Sequence, residues 1–179
     1  MSDKSDDGGY PSGTLMRGRR GLVMGVANDH SIAWGIARAV HAQGAELAFT
    51  FQGDAFERRV RPLAESVGSS LVLPCDVTDA ASLDAVFDAL GKAWDRLDFV
   101  VHAIAYSDKN ELTGRFVDTT RENFLRTMDI SCFSFTDVAR RAAPMMTGGG
   151  ALVTLTYLGA EKVIPNYNVM GVAKAALEA

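Results

Sequence analysis

Short apolar runs alternate with segments of helical period along nearly the whole chain, and this alternation limits the fold more than any other feature. Residues 22–26 form a compact β-like run. Ile32, Gly35, Ile36, Ala39 and Val40 then recur at the spacing of one helical face, with Gly44 as the stop. Glu46–Phe51 predicts a second strand, 56–67 a charged amphipathic helix and 71–77 a third strand. Leu83, Val86, Phe87, Leu90 and Trp94 mark a third helix. Residues 97–105 are apolar almost throughout, as expected of a strand covered by helices on both faces. Thr119 and Glu122 have the spacing of a capping box opening a long helix, which Pro144 ends. Residues 151–156 predict a fifth strand, and a last helix starts near Asn166. Strands separated by single helices pair in parallel through right-handed crossovers. The expected fold is an α/β doubly wound parallel sheet of Rossmann type.

The 179 residues suit one domain, which should bury roughly 70% of the surface its unfolded chain exposes. With 47% hydrophobic and 22% charged residues, disorder, collagen-like repeats and a disulfide scaffold are excluded. Residues 1–15 are polar and rich in Gly, Ser and Asp, and are expected to form a flexible leader. Residues 16–179 are then a single dinucleotide-binding domain. A net charge of -4 argues against nucleic acid or an acidic membrane as the main partner. Arg17, Arg19 and Arg20 read as a solvated flank of the first strand. Cys75 and Cys132 lie far apart in apolar stretches, which suits buried thiols in a reducing compartment better than a disulfide or a metal site. No run approaches 18 apolar residues and the start of the chain is acidic, so no membrane span is expected and a cytoplasmic location is.

In a doubly wound sheet, ligands bind beyond the carboxyl ends of the strands, near the switch point. After the first strand comes Gly25, which lets the backbone turn sharply. Ser31 stands where a helix should start, and its hydroxyl with the free N–H groups there could serve a diphosphate. Gln52 ends the second strand, where it can hydrogen-bond an adenosine ribose without repelling a 2′-phosphate. NADH is favoured over NADPH because no cation is adjacent, although Arg58 and Arg59 lie nearby. Asp76 follows the third strand, either as an acceptor for an adenine amino group or as an ordinary helix-starting aspartate. Residues 104–107 are small enough to lie along the ribose and nicotinamide. His102, inside the fourth strand, reads as packed rather than catalytic.

Tyr167 and Lys174 are seven residues apart, close to two helical turns, and so should share a face. A free tyrosine titrates near pH 10. An adjacent ammonium would stabilise the phenolate and make the hydroxyl a better acid. The lysine could also hold ribose hydroxyls.

At these residues the chain resembles the enoyl-acyl-carrier-protein reductases of bacterial type II fatty-acid synthesis, a divergent branch of the short-chain dehydrogenase/reductases. The likeness includes GVANDHSIAWGIA (25–37), GAELAFTFQ (44–52), CDV (75–77) and LTYLGAEKVIPNYNVMGVAKAALEA (155–179). Ordinary members of the superfamily place tyrosine four before lysine, where this chain has Met170. The resemblance implies cofactor contacts from Gly25, Ser31, Ile32, Gln52, Asp76, Val77, Ile104 and Lys174. It implies Tyr157, Tyr167 and Lys174 as the catalytic group, with Ser107 and Tyr157 near substrate. Ser107 departs in type from the small apolar residue expected there. The implied reaction uses NADH to reduce the trans-2 double bond of an enoyl thioester on acyl carrier protein, in a homotetramer. It further implies that the chain stops short of a C-terminal strand, a substrate-covering loop and a last strand. Two rivals remain: a short-chain reductase acting on a ketone, and a catalytically silent dinucleotide-binding module.

Overall fold

A computed structural model describes residues 10–179. Five strands, β1 (Arg20–Met24), β2 (Glu46–Phe51), β3 (Val72–Pro74), β4 (Phe99–His102) and β5 (Ala151–Thr154), form one parallel sheet in the order β3-β2-β1-β4-β5. The chain builds outward from β1 to β3 and then returns to lay β4 against the other edge of β1. That reversal puts the switch point between the carboxyl ends of β1 and β4. The expected doubly wound parallel architecture is the one observed.

Helices α1 (Ile32–Ala42) and α2 (Asp54–Ser66) cover one face of the sheet, and α3 (Ala80–Ala93) covers the other. α4 (Arg121–Met128), a π-helical segment (Asp129–Phe133) and α5 (Ser134–Ala142) run on as one interrupted helix. α6 (Asn168–Glu178) packs against α4 and the π-helical segment. The strands feed both faces. On β1, Leu22 and Met24 point toward Leu83, Val86, Leu90 and Val138, while Val23 points toward Trp34, Ala37, Val60 and Ala64. Each large aliphatic side chain buried this way contributes about 1.5–3 kcal/mol.

Several elements depart from the sequence reading for identifiable reasons. The buried face of α1 is Ala33, Trp34 and Ala37, whereas Ile32 is 67% exposed. The apolar side chains of α1 exceed what one face can bury, so periodicity alone picked a neighbouring stripe. The long helix is capped by Thr120, whose hydroxyl accepts from the Asn123 N–H at 3.2 Å, and not by Thr119. β3 and β4 are shorter than the apolar runs at 71–77 and 97–105: Cys75 N–H and Ala103 N–H still reach Phe51 O (2.8 Å) and Met24 O (3.0 Å), but Val77 and Ile104 only pack against the core.

The N-terminal expectations also shift. Residues 1–9 of the expected leader lie outside the described residues. From Tyr10 onward the segment is tied to α1: Gly13 N–H donates to Ala42 O at 2.9 Å, and the Arg38 guanidinium lies 5.1 Å over the Tyr10 ring. Arg17 and Arg19 are exposed, as a solvated flank should be, but Arg20 is half-buried and Arg19 and Arg20 are also paired. Asp98, at the start of β4, receives the Arg19 guanidinium at 2.8 Å, the Arg20 N–H at 2.9 Å and Arg96 Nε at 3.2 Å. Burial pushes the Asp98 carboxyl up, and these donors outweigh it and hold it below the usual range. This cluster joins β1 to β4 at the end of the sheet opposite the switch point.

Candidate active site

The floor of the site is a close backbone approach. Gly25 leaves β1 at φ +95°, and a Cβ there would lie 2.0 Å from the Ala103 carbonyl oxygen at the end of β4. Ala103 N–H in turn donates to Met24 O at 3.0 Å, which locks the two strand ends together. Only glycine fits, for both conformation and space. Above this floor opens a cavity of about 440 Å³ whose lining includes Gly25, Gln52, Asp76, Val77, Ile104 and Ile130.

Gln52 and Asp76 meet at the outer end of that cavity, with Gln52 Nε2 donating to Asp76 Oδ2 at 2.9 Å. Thr78 gives Asp76 Oδ1 both its N–H (2.9 Å) and its hydroxyl (2.7 Å). The Thr78 hydroxyl bond is the main reason the carboxyl is held below its ordinary value, against the upward push of burial. The Asp76 N–H donates to Ser82 Oγ at 2.9 Å, and Asp79, not Asp76, caps α3. Asp76 is thus an anion positioned in a cavity and is not a helix cap.

Five of the cofactor candidates therefore gather in one cavity: Gly25, Gln52, Asp76, Val77 and Ile104. Ser31, Ile32 and Lys174 do not line it. Ser31 sits at the N-cap of α1, yet its hydroxyl accepts the Ala27 and Asn28 N–H groups at 3.2 Å and donates to Asn28 O. It closes the loop on itself, so the donors left at that end are the backbone N–H groups of the first helical turn.

Tyr167 is the N-cap of α6, with φ −126° and ψ −15°, and its carbonyl accepts the Gly171 N–H at 3.2 Å. Lys174 is 6% exposed, and its Nζ donates to Leu155 O at 2.7 Å. Burial lowers its pKa. Burial and the neighbouring Tyr157 raise that of Tyr167, the opposite of the expected activation by the lysine. The Tyr157 and Tyr167 rings meet edge to face at 5.1 Å and 64°. Gly159 lets Tyr167 in, since a Cβ there would stand 2.3 Å from the Tyr167 ring. Tyr167 borders a separate hollow of about 370 Å³ with Phe116, Val163, Ile164 and Val172.

Asn168 fixes this corner from the other side. Its Nδ2 donates to Glu111 O at 3.0 Å and Thr113 O at 3.2 Å, which ties the loop after β4 to the start of α6. Asn166, at φ 60°, holds the left-handed turn just before Tyr167, a conformation asparagine tolerates. Ser107 lies in neither cavity. Thr127 Oγ1 donates to its hydroxyl at 2.9 Å and Asn123 flanks it, a network that shapes the loop after β4.

His102 is packed, as its place in a strand implied. Its Nε2 lies 2.9 Å from Ser134 Oγ and its ring 5.5 Å from Phe135. Ser134 gives its own proton to Ile130 O at 2.6 Å, so Nε2 carries the hydrogen of the neutral ring. Burial, and to a lesser degree Lys174, lowers the His102 pKa to about 4. The sequence reading missed Ser131, Ser134, Asn168 and Arg126, whose partners are set only by the fold.

The sequence profile described as Enoyl-(Acyl carrier protein) reductase matches residues 25–179. The chain belongs to this enoyl reductase family. It is 67% identical over 165 residues to enoyl-[acyl-carrier-protein] reductase [NADH] 2 of Rhizobium meliloti (strain 1021), across 92% of this chain and 62% of the relative. Among solved enoyl reductases, that of Anaplasma phagocytophilum in complex with NAD superposes with a TM-score of 0.92 at 60% identity, across 95% of this chain and 65% of that one. The Bacillus cereus enoyl reductase with NADP+ and indole naphthyridinone gives 0.90 at 52% identity, across 92% and 65%. The chain spans a little under two thirds of the length of these relatives.

Proposed function

We propose that this chain carries the cofactor-binding and catalytic residues of an NADH-dependent enoyl-acyl-carrier-protein reductase. The substrate is a trans-2-enoyl thioester on acyl carrier protein. The observation that carries the reading is the Gly25-floored cavity at the switch point, with the Gln52–Asp76 pair at its outer end. A side chain at Gly25 would strike the Ala103 backbone and push apart the strand ends that floor the cavity.

Gln52 and Asp76 would hold the adenosine end, and the first turn of α1 would face the diphosphate. Val77 and Ile104 would supply apolar walls. Asp76, held as an anion, disfavours a 2′-phosphate nearby, which favours NADH. Arg58 and Arg59 on α2 leave room for weaker NADPH use, and the Bacillus cereus relative is described with NADP+.

When bound, the cofactor would supply a hydride to the β-carbon of the enoyl thioester. Tyr167 would donate a hydrogen bond from its hydroxyl to the thioester oxygen, where negative charge develops. Its raised pKa keeps it a neutral donor at physiological pH, so this role needs no activation by Lys174. Lys174, braced on Leu155 O, orients ribose hydroxyls. Tyr157 sets the Tyr167 ring. A homotetramer in the cytoplasm is the assembly and setting we assign to it, by the family resemblance.

NADH consumption with a short trans-2-enoyl thioester tests the reading, with a 3-ketoacyl thioester as the control. Oxidation with the enoyl substrate alone supports it. Oxidation with the ketoacyl substrate alone identifies a ketoreductase, and NADH binding without any turnover identifies a silent binding module.

A further inference from the structure

Arg126 has no place in the roles assigned so far, yet it lines the same cavity as Gln52 and Asp76. It sits on α4 one helical turn before Ile130, and both residues face that space. Asp76 and Arg126 are the charged side chains of the lining. The other arginines of this interrupted helix differ in environment. Arg140 and Arg141 are paired with Asp137, and Arg141 also with Asp84. Arg126 has no carboxylate within ion-pair distance among the described residues. Its guanidinium instead lies 4.6 Å over the Tyr106 ring.

The backbone that carries that ring is held in place. Ser131, in the π-helical segment, accepts the Tyr106 N–H and donates to the Tyr106 carbonyl, both at 2.9 Å. The π-helical turn therefore fixes the backbone of an aromatic residue, its ring lies under a planar cation, and the cation borders a cavity that an anionic carboxylate also lines. Arg126 is also among the charges that hold the Asp76 carboxyl low, after the Thr78 hydrogen bond. A guanidinium stacked on one face keeps its other face for a second flat π-system.

We infer that Arg126 is an adenine-binding residue: backed by the Tyr106 ring, its guanidinium covers one face of the adenine while Asp76 accepts from the adenine amino group. An electron-rich purine with an exocyclic donor matches a cation above and a carboxylate beside it. A phosphate would satisfy the cation but would be repelled by Asp76. The inference rests on the dinucleotide reading above and names what recognises one end of that ligand.

Binding of NADH, NADPH, ADP-ribose and reduced nicotinamide mononucleotide to the wild-type, Arg126→Ala and Arg126→Lys chains tests it by fluorescence and calorimetry, with far-UV circular dichroism as the fold control. Arg126→Ala is expected to weaken NADH and ADP-ribose equally, by about fivefold to tenfold. The mononucleotide, which lacks adenine, should keep its affinity. Arg126→Lys preserves charge and fold but lacks the planar face, so it should recover less than half of the loss. Unchanged NADH affinity in Arg126→Ala overturns the adenine role alone. So does a loss confined to NADPH, which would make Arg126 a phosphate ligand, or full recovery by lysine. Absence of NADH binding in the wild-type chain overturns the dinucleotide reading itself, and the adenine role with it.

Discussion

Replacing Gly25 by alanine attacks the floor of the cavity at its least tolerant point. Two costs add. The backbone holds φ +95°, where a residue with a Cβ is strained by of order 1–3 kcal/mol. The new methyl would stand 2.0 Å from Ala103 O, while ordinary contact begins at 3.4 Å, so the strand ends must separate by about 1.4 Å. That separation breaks or stretches the 3.0 Å bond from Ala103 N–H to Met24 O, and overpacking of this kind costs about 1–3 kcal/mol. A loss of at least about 3 kcal/mol is expected, since the obstructing atom is backbone and cannot swing aside. Urea unfolding followed by tryptophan fluorescence reads the stability, and NADH titration of the folded fraction reads the site. A midpoint within about 0.5 kcal/mol of wild type, with NADH affinity intact, would refute the claim that the two strand ends meet at a fixed backbone contact.

Other perturbations separate the parts of the site. Gly159→Ala should displace the Tyr167 ring and lower turnover on the order of tenfold to a hundredfold, with NADH affinity within about twofold in a titration. Tyr167→Phe should reduce turnover far more than NADH binding, whereas Lys174→Ala should weaken both; equal losses of NADH affinity in the two variants would contradict the assigned roles. Asp98→Asn should destabilise the chain by about 1.5–3 kcal/mol near neutral pH, measured by denaturant midpoint. Because the native Asp98 pKa is lowered, its stabilisation is complete above the unfolded value of about 4. It is lost as pH falls through the native value, so the variant's stability should depend less on pH in that acidic window.

Much of this was legible before any coordinate. β2 occupies the predicted residues because Glu46–Phe51 is bounded by Gly44 on one side and by Gly53 at the N-cap of α2 on the other. Parallel order followed from one helix between successive strands, and Gly25 stood where a switch-point turn must be tight. Gln52, Asp76, Val77 and Ile104 converge because each follows a strand that ends at the same edge of the sheet. Apolar composition misled where it recorded burial beyond the strand: Val77 and Ile104 pack on the core past the ends of β3 and β4. The π-helical turn had no signal of its own, as it differs from an α-helix by one inserted residue. Arg126 was invisible because its importance depends on Tyr106, 20 residues away in sequence and in contact only through the fold.

Isotopic labelling reads where the proposed hydride transfer to an enoyl thioester ends. NADH carrying deuterium at the transferred position is supplied with a trans-2-enoyl thioester, and the product is read by mass spectrometry and deuterium NMR. One deuterium per product is expected, located at C3, with the C2 proton drawn from solvent. Deuterium at C2, at a carbinol carbon formed from a ketoacyl substrate, or nowhere in the acyl chain would contradict it.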